Sequence, residues 1–130
     1  LRYSNRHRDE VAANWVDKTR ITAINRASKI LELSGGNQQK VVVAKTLVQE
    51  PSLIILDEPT RGVDVGAVEE IHEIIRGLAN DGKAVVVISS YLPEILKVSD
   101  RILVARGGQI VAEFDPEEAT QEKIMYAAVH

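Results

Sequence analysis

The sequence predicts an α/β fold, a parallel sheet with flanking helices and a C-terminal β-hairpin, and three observations carry that expectation. Leu53–Leu56 and Ala84–Ile88 are short, continuous apolar runs, the pattern of strands in a parallel sheet. Between them, Ala67, Ile71, Ile74, Ile75 and Leu78 recur at helical spacing. After them, Arg101–Ala105 and Gln109–Phe114 flank Gly107-Gly108, a two-strand hairpin pattern. Strand–helix–strand alternation is how parallel sheets are connected.

In chain order, residues 8–18 predict a helix with Val11, Ala12, Trp15 and Val16 as its apolar stripe. Residues 19–32 are mixed, and Ile21, Ile24, Ile30 and Leu31 suggest short packed elements. A helix is expected from Asn37 to about Gln49, with Val41, Ala44, Leu47 and Val48 on one face and Pro51 ending it. Strand Leu53–Asp57 leads into a loop carrying Gly62, Asp64 and Gly66, then a helix near 66–79. Asp81-Gly82 turns into strand Ala84–Ser89, whose apolar run implies burial on both faces. A helical turn over Leu92–Lys97 precedes the hairpin. Asp115-Pro116-Glu117-Glu118 has the order of an N-cap, an N1 proline and an acidic first turn, so 116–129 is read as one or two short helices.

Composition bounds the function. With 130 residues, 45% hydrophobic and 27% charged, the chain can bury one core. No apolar run approaches the roughly 18 residues of a membrane helix, so a membrane role goes through a partner. Zero cysteines exclude disulfides and thiolate metal ligands and fit a cytoplasmic protein. The net charge of −3 divides into +4 over residues 1–29 and −7 over the rest. The seven basic residues of the first segment are scattered rather than stacked on one face, the pattern of a solvated surface rather than a nucleic-acid site. His7, His72 and His130 read as surface residues.

Two stretches carry chemistry. Leu33-Ser34-Gly35-Gly36-Asn37-Gln38-Gln39-Lys40 is a small-residue turn opening a helix, which aims free N–H groups and a positive dipole end at an anion. An ordinary helix cap would look similar. Leu53-Ile54-Ile55-Leu56-Asp57-Glu58-Pro59-Thr60 delivers two adjacent carboxylates to the carboxyl edge of a sheet, where one suits a metal and one a water. A surface turn after a strand is the plainer account of an Asp-Glu pair. Together the two stretches describe half of a device for cleaving nucleoside triphosphates. The other half, G-x-x-x-x-G-K-[ST], does not occur in these 130 residues. The sequence opens at Leu1 in a polar stretch, and is read as a C-terminal piece of a longer protein that binds ATP poorly by itself.

At these residues the chain resembles the ATP-binding subunit of ABC transporters: Leu33–Gly36 matches the signature motif and Leu53–Glu58 matches Walker B. The resemblance implies a partial P-loop NTPase domain with the Walker A portion missing. Residues 1–50 would belong to its helical, signature-bearing subdomain and 51–130 to the RecA-like core and tail. It also implies ATP and Mg²⁺ as cofactors. Asp57 would hold Mg²⁺ through water, and Glu58 would polarise the attacking water. Ser34, Gly35, Gly36, Asn37 and Gln38 would close over the γ-phosphate held by an opposing cassette. Asp64 falls in the D-loop, although capping the next helix explains it equally well.

Ser90 departs from the family pattern. It stands where the family has a histidine against the γ-phosphate, and a hydroxyl cannot carry imidazolium charge. Arg61-Gly62-Val63-Asp64-Val65-Gly66-Ala67, Ser89-Ser90-Tyr91-Leu92-Pro93-Glu94 and Ala119–Met125 narrow the resemblance to the second cassette of ribose- and galactose-type monosaccharide importers, over about residues 30–126. That subfamily implies a degenerate local site supporting the other cassette. It also implies a partner cassette, a membrane permease and, indirectly, a periplasmic sugar-binding protein. The location would be peripheral, on the cytoplasmic face of the inner membrane. A non-transport ABC ATPase of the DNA-repair or translation kind is the alternative, but neither a coiled-coil insertion nor a strongly basic linker is present. Lacking the P-loop strand, the chain is expected either to self-associate or to rearrange its sheet.

Overall fold

The computed structural model describes residues 29–130 together with 9, 10, 12 and 13. Of the helix expected over 8–18, those four residues are helical; Val11, Trp15, Val16, Ile21 and Ile24 lie outside the described residues. After a short 3₁₀ turn, Ile30–Glu32, the elements run α1 (Gly35–Leu47), β1 (Leu53–Asp57), α2 (Val65–Asn80), β2 (Ala84–Ile88), α3 (Leu92–Val98), β3 (Ile102–Arg106), β4 (Gln109–Phe114) and α4 (Gln121–Val129). Helix α1 stops two residues before Gln49, followed by Glu50 at φ 48°, so a left-handed residue ends it before Pro51 does.

β1 and β2 pair in parallel with Leu53 opposite Ala84 and Asp57 opposite Ile88. The hairpin forms a second, separate sheet, β3 antiparallel to β4, with a bulge between Val104 and Ala105. Gly107 and Gly108 take φ 57° and 79°, the left-handed pair that a tight hairpin turn demands. The main core lies under one face of β1–β2, where Ile54 and Leu56 pack with Val43 and Leu47 of α1 and Ile71, Ile75 and Leu78 of α2. A second core joins Ile102, Val104 and Ile124 of β3 and α4 to half-buried residues of α3 and β4.

Two expectations are corrected. β2 is not buried on both faces: Val85 and Val87 meet the core, whereas Val86 and Ile88 are exposed, as are Leu53 and Ile55 beside them. The helices among the described residues sit on one side only, so the continuous apolar run signals a second face without a cover. The segment after Asp115 is also a turn rather than a helix start. Glu118 and Ala119 both donate to the Asp115 carbonyl, and α4 begins six residues later, capped by Thr120 Oγ1 accepting from Lys123 N–H at 3.2 Å. Thr120 offers a second cap, and the longer helix forms behind it.

Candidate functional site

β1 ends in Asp57, exposed at its carboxyl edge, and the next residue turns the chain sharply. Glu58 has φ 48°, a left-handed conformation that a non-glycine residue adopts only when held there. Three hydrogen bonds hold it, one of them from the Arg61 N–H to the Glu58 carbonyl at 3.1 Å. Its N–H donates to the Ile88 carbonyl at 2.7 Å, and its Oε1 accepts from the Ser90 N–H at 2.9 Å. The carboxyl ends of β1 and β2 are thereby tied together at the half-buried Glu58 side chain. The structure brings Glu58 and Ser90 together, but through the main chain of Ser90, a bond independent of the side chain at that position.

The turn opening α1 is built locally. Ser34 Oγ accepts from Asn37 N–H at 3.4 Å and from Asn37 Nδ2 at 3.0 Å, while Gln38 Nε2 donates to the Leu33 carbonyl at 2.8 Å. Ser34 is therefore the cap of α1, with the dipole end of the helix beside it. The two glycines differ. A Cβ on Gly35 would make only ordinary contact, 3.5 Å from the Gly62 carbonyl oxygen, so its main chain stays open to an approaching group. Gly36 is buried, and a Cβ there would sit 2.3 Å from the Ala67 Cβ. A charged substituent at Gly36 therefore acts on packing as well as on any anion.

Asp64 caps α2, its Oδ1 accepting from Ala67 N–H at 3.0 Å. Its other oxygen lies 3.5 Å from where a Gly36 Cβ would be, so this cap and the turn before α1 are neighbours within one chain. Among the described residues no three acidic or histidine side chains group into a metal cage. Asp57 nevertheless fits Mg²⁺, which takes one or two carboxylates and fills its other positions with water and phosphate oxygens.

Sequence reasoning missed the contacts that hold these turns. Lys40, buried in α1, pairs with Glu70 of α2 beside the Gly36–Ala67 contact. His72, expected at the surface, is 3% exposed, and its Nε2 lies 3.1 Å from Oε1 of the buried Glu94. The signal was present: His72 falls four residues after Val68 and three before Ile75, on the apolar face of α2. His130 is exposed as expected, stacked on Tyr126 with centroids 4.5 Å apart; His7 lies outside the described residues. Next to His72, the Glu69 carboxyl is held below its usual range by a hydrogen bond from Lys97 and a second from Arg76.

A family model described as ABC transporter matches residues 3–61. The chain is 53% identical over 119 residues to a ribose import ATP-binding protein of Caldanaerobacter subterraneus, covering 92% of this chain and 24% of that protein. It is 54% identical over 114 residues to a xylose import ATP-binding protein of Moorella thermoacetica, covering 88% and 23%. The chain thus spans about a quarter of the length of these curated relatives. Among solved structures, it superposes on the ATP-binding cassette MJ1267 with TM-score 0.82 at 25% identity, covering all of this chain and 53% of that one. It also superposes on the cassette MJ0796, in a dimeric post-hydrolysis state bound to ADP and Pi, with TM-score 0.77 at 27% identity, covering 89% and 50%.

Proposed function

This chain belongs to the ABC transporter family, and we propose that it is part of the ATP-binding and hydrolysing subunit of a monosaccharide importer. The observation that carries the reading is the pairing at the end of β1: Asp57 exposed, and Glu58 aimed by the Ser90 N–H. A carboxylate fixed by a backbone donor, beside a second carboxylate free for a cation, suits in-line attack of water on a phosphoryl group. Asp57 would hold Mg²⁺ through water, and that ion, when bound, would neutralise charge developing on the phosphate oxygens. Glu58 would accept a hydrogen bond from the attacking water on its free oxygen, with Oε1 fixed to Ser90.

In this reading residues 1–50 belong to the signature-bearing subdomain and 51–130 to the nucleotide-binding core and tail. Ser34, the open Gly35 main chain, Gly36, Asn37, Gln38 and the neighbouring Asp64 would face a nucleotide held by a second cassette. That cassette and a membrane permease are the proposed partners, with a periplasmic sugar-binding protein further upstream, and the subunit would sit at the inner face of the membrane. The names of the relatives, ribose and xylose import proteins, support a pentose or similar monosaccharide as cargo. No helix among the described residues is long and apolar enough to cross a membrane.

A second reading is favoured by one residue. Ser90 supplies its N–H to Glu58 but has no imidazole to place on a γ-phosphate, so this site would turn over slowly and mainly support its partner. Purified full-length subunit, reconstituted with its permease in vesicles, tests the assignment. ATP-dependent uptake of labelled ribose or xylose is expected, and a subunit with neither ATPase activity nor uptake of any monosaccharide would refute it.

A further inference from the structure

Four residues after Ser90, Glu94 lies in the first turn of α3 with its side chain completely buried, facing the buried His72 of α2. The pair is built for direction rather than for stability. Desolvating a carboxylate and an imidazole offsets much of their attraction. In addition, His72 Nδ1 and Glu94 Oε2 are both buried without a hydrogen-bond partner. The nearest charge to Nδ1 is Glu69 Oε2 at 3.9 Å, and Glu69 itself is engaged by Arg76 and Lys97. The Lys97–Glu69 bridge also links α3 to α2, but both groups are about half exposed and such pairs constrain little. His72–Glu94 is a buried polar tie between the two helices.

A continuous main-chain path leads from that tie to the candidate base. Glu94 N–H donates to the Tyr91 carbonyl at 3.0 Å, Tyr91 follows Ser90, and the Ser90 N–H holds Glu58 Oε1 at 2.9 Å. We propose that His72 and Glu94 are positioning residues for Glu58: by fixing α3 on α2 they keep the Ser90 N–H where it aims the Glu58 carboxylate. The proposal rests on the catalytic reading of Glu58 given above. Without the tie, α3 and the three residues before it gain freedom, and the Glu58 side chain loses its fixed direction while nucleotide-binding groups elsewhere are untouched.

The test uses the full-length ATP-binding subunit, with the glutamate of the partner site replaced by glutamine so that turnover reports this site. Glu94→Ala should raise amide exchange in the peptide spanning residues 88–92 and lower kcat, each by about tenfold, since small misplacements of a catalytic group are costly. KM for ATP should stay within about twofold, because ground-state binding is not involved. Glu94→Gln, which keeps an oxygen for the His72 N–H, should restore both. If Glu94→Ala does not fold, Glu94→Asp, one methylene short, should give the same pattern. Unchanged exchange at 88–92 overturns the proposal, as does exchange rising equally in the β3–β4 hairpin, or a raised KM with kcat intact. A subunit carrying only the partner-site glutamine and showing no residual ATPase would instead sink the reading of Glu58, while the exchange result still decides the positioning.

Discussion

Two glutamates of this chain, Glu50 and Glu58, share the left-handed φ of 48° and differ in what holds them. Glu50 is exposed and follows α1, where only its N–H bond to the Leu47 carbonyl is needed, and glycine would keep that bond. Glu50→Gly is therefore expected to stabilise the protein by about 0.5–1 kcal/mol in urea unfolding, through relief of left-handed strain. Glu58 keeps its strained conformation because a β-strand end, the Ile88 carbonyl and the Ser90 N–H over-determine it. Glu58→Gln retains an oxygen for Ser90 but loses the base. In the intact transporter it should reduce ATPase activity less than the matching change in the partner cassette, because Ser90 leaves this site without its imidazole. Equal, near-complete losses from the two single variants would count against a degenerate site.

At the scale of elements, α2 organises the others. Its first turn meets α1 at Ala67 and Gly36, and its middle meets α3 at His72 and Glu94. Gly36→Ala should cost about 1–3 kcal/mol by overpacking, and adding Ala67→Gly should return most of it. A denaturation series with additive losses in the double variant would show that the two helices do not meet there. The same contact bears on Gly36→Asp: it should lower stability through Ala67, so lost ATPase would not by itself report an anion site. Asp64→Ala should cost about 1 kcal/mol through the lost cap.

Glu69 adds a small pH-dependent contribution to the α2–α3 contact. Lys97 first, then Arg76, lower its pKa from the ordinary value of 4.5. A depressed folded value means that the stabilisation is present above 4.5 and is lost as pH falls through the lower folded pKa. Glu69→Gln should flatten the acid limb of a stability–pH curve in that window. High salt should do the same, because the carboxylate is exposed and screened.

For the whole molecule, the decisive feature is the face of β1–β2 that no helix covers among the described residues. Leu53, Ile55, Val86 and Ile88 line it, each 44–60% exposed. Among the described residues β2 pairs only with β1 and β3 only with β4, so the two sheets are not joined. An apolar face beside a strand edge without a neighbour recruits other chains. The 130-residue chain by itself is expected to associate in a concentration-dependent way by light scattering, and Ile55→Lys with Val86→Lys should suppress this. A monomer at every concentration, with or without those changes, would contradict the expectation.

What the sequence determined was local and periodic. Four strands, the helix over 66–79, the hairpin glycines and the caps at Ser34 and Asp64 were legible because each depends on neighbours a few residues away. The spacing between the Ser34 turn and Asp57-Glu58, on which the proposed function rests, is likewise a sequence property. Only the tertiary structure decided that Gly36 is fixed by Ala67, that Lys40, His72 and Glu94 are buried partners, and that Ser90 acts through its N–H. The apolar run of β2 likewise could not say whether both its faces would be covered. Those outcomes depend on which distant surface meets which, and a one-dimensional pattern records that a face is apolar but not what lies against it.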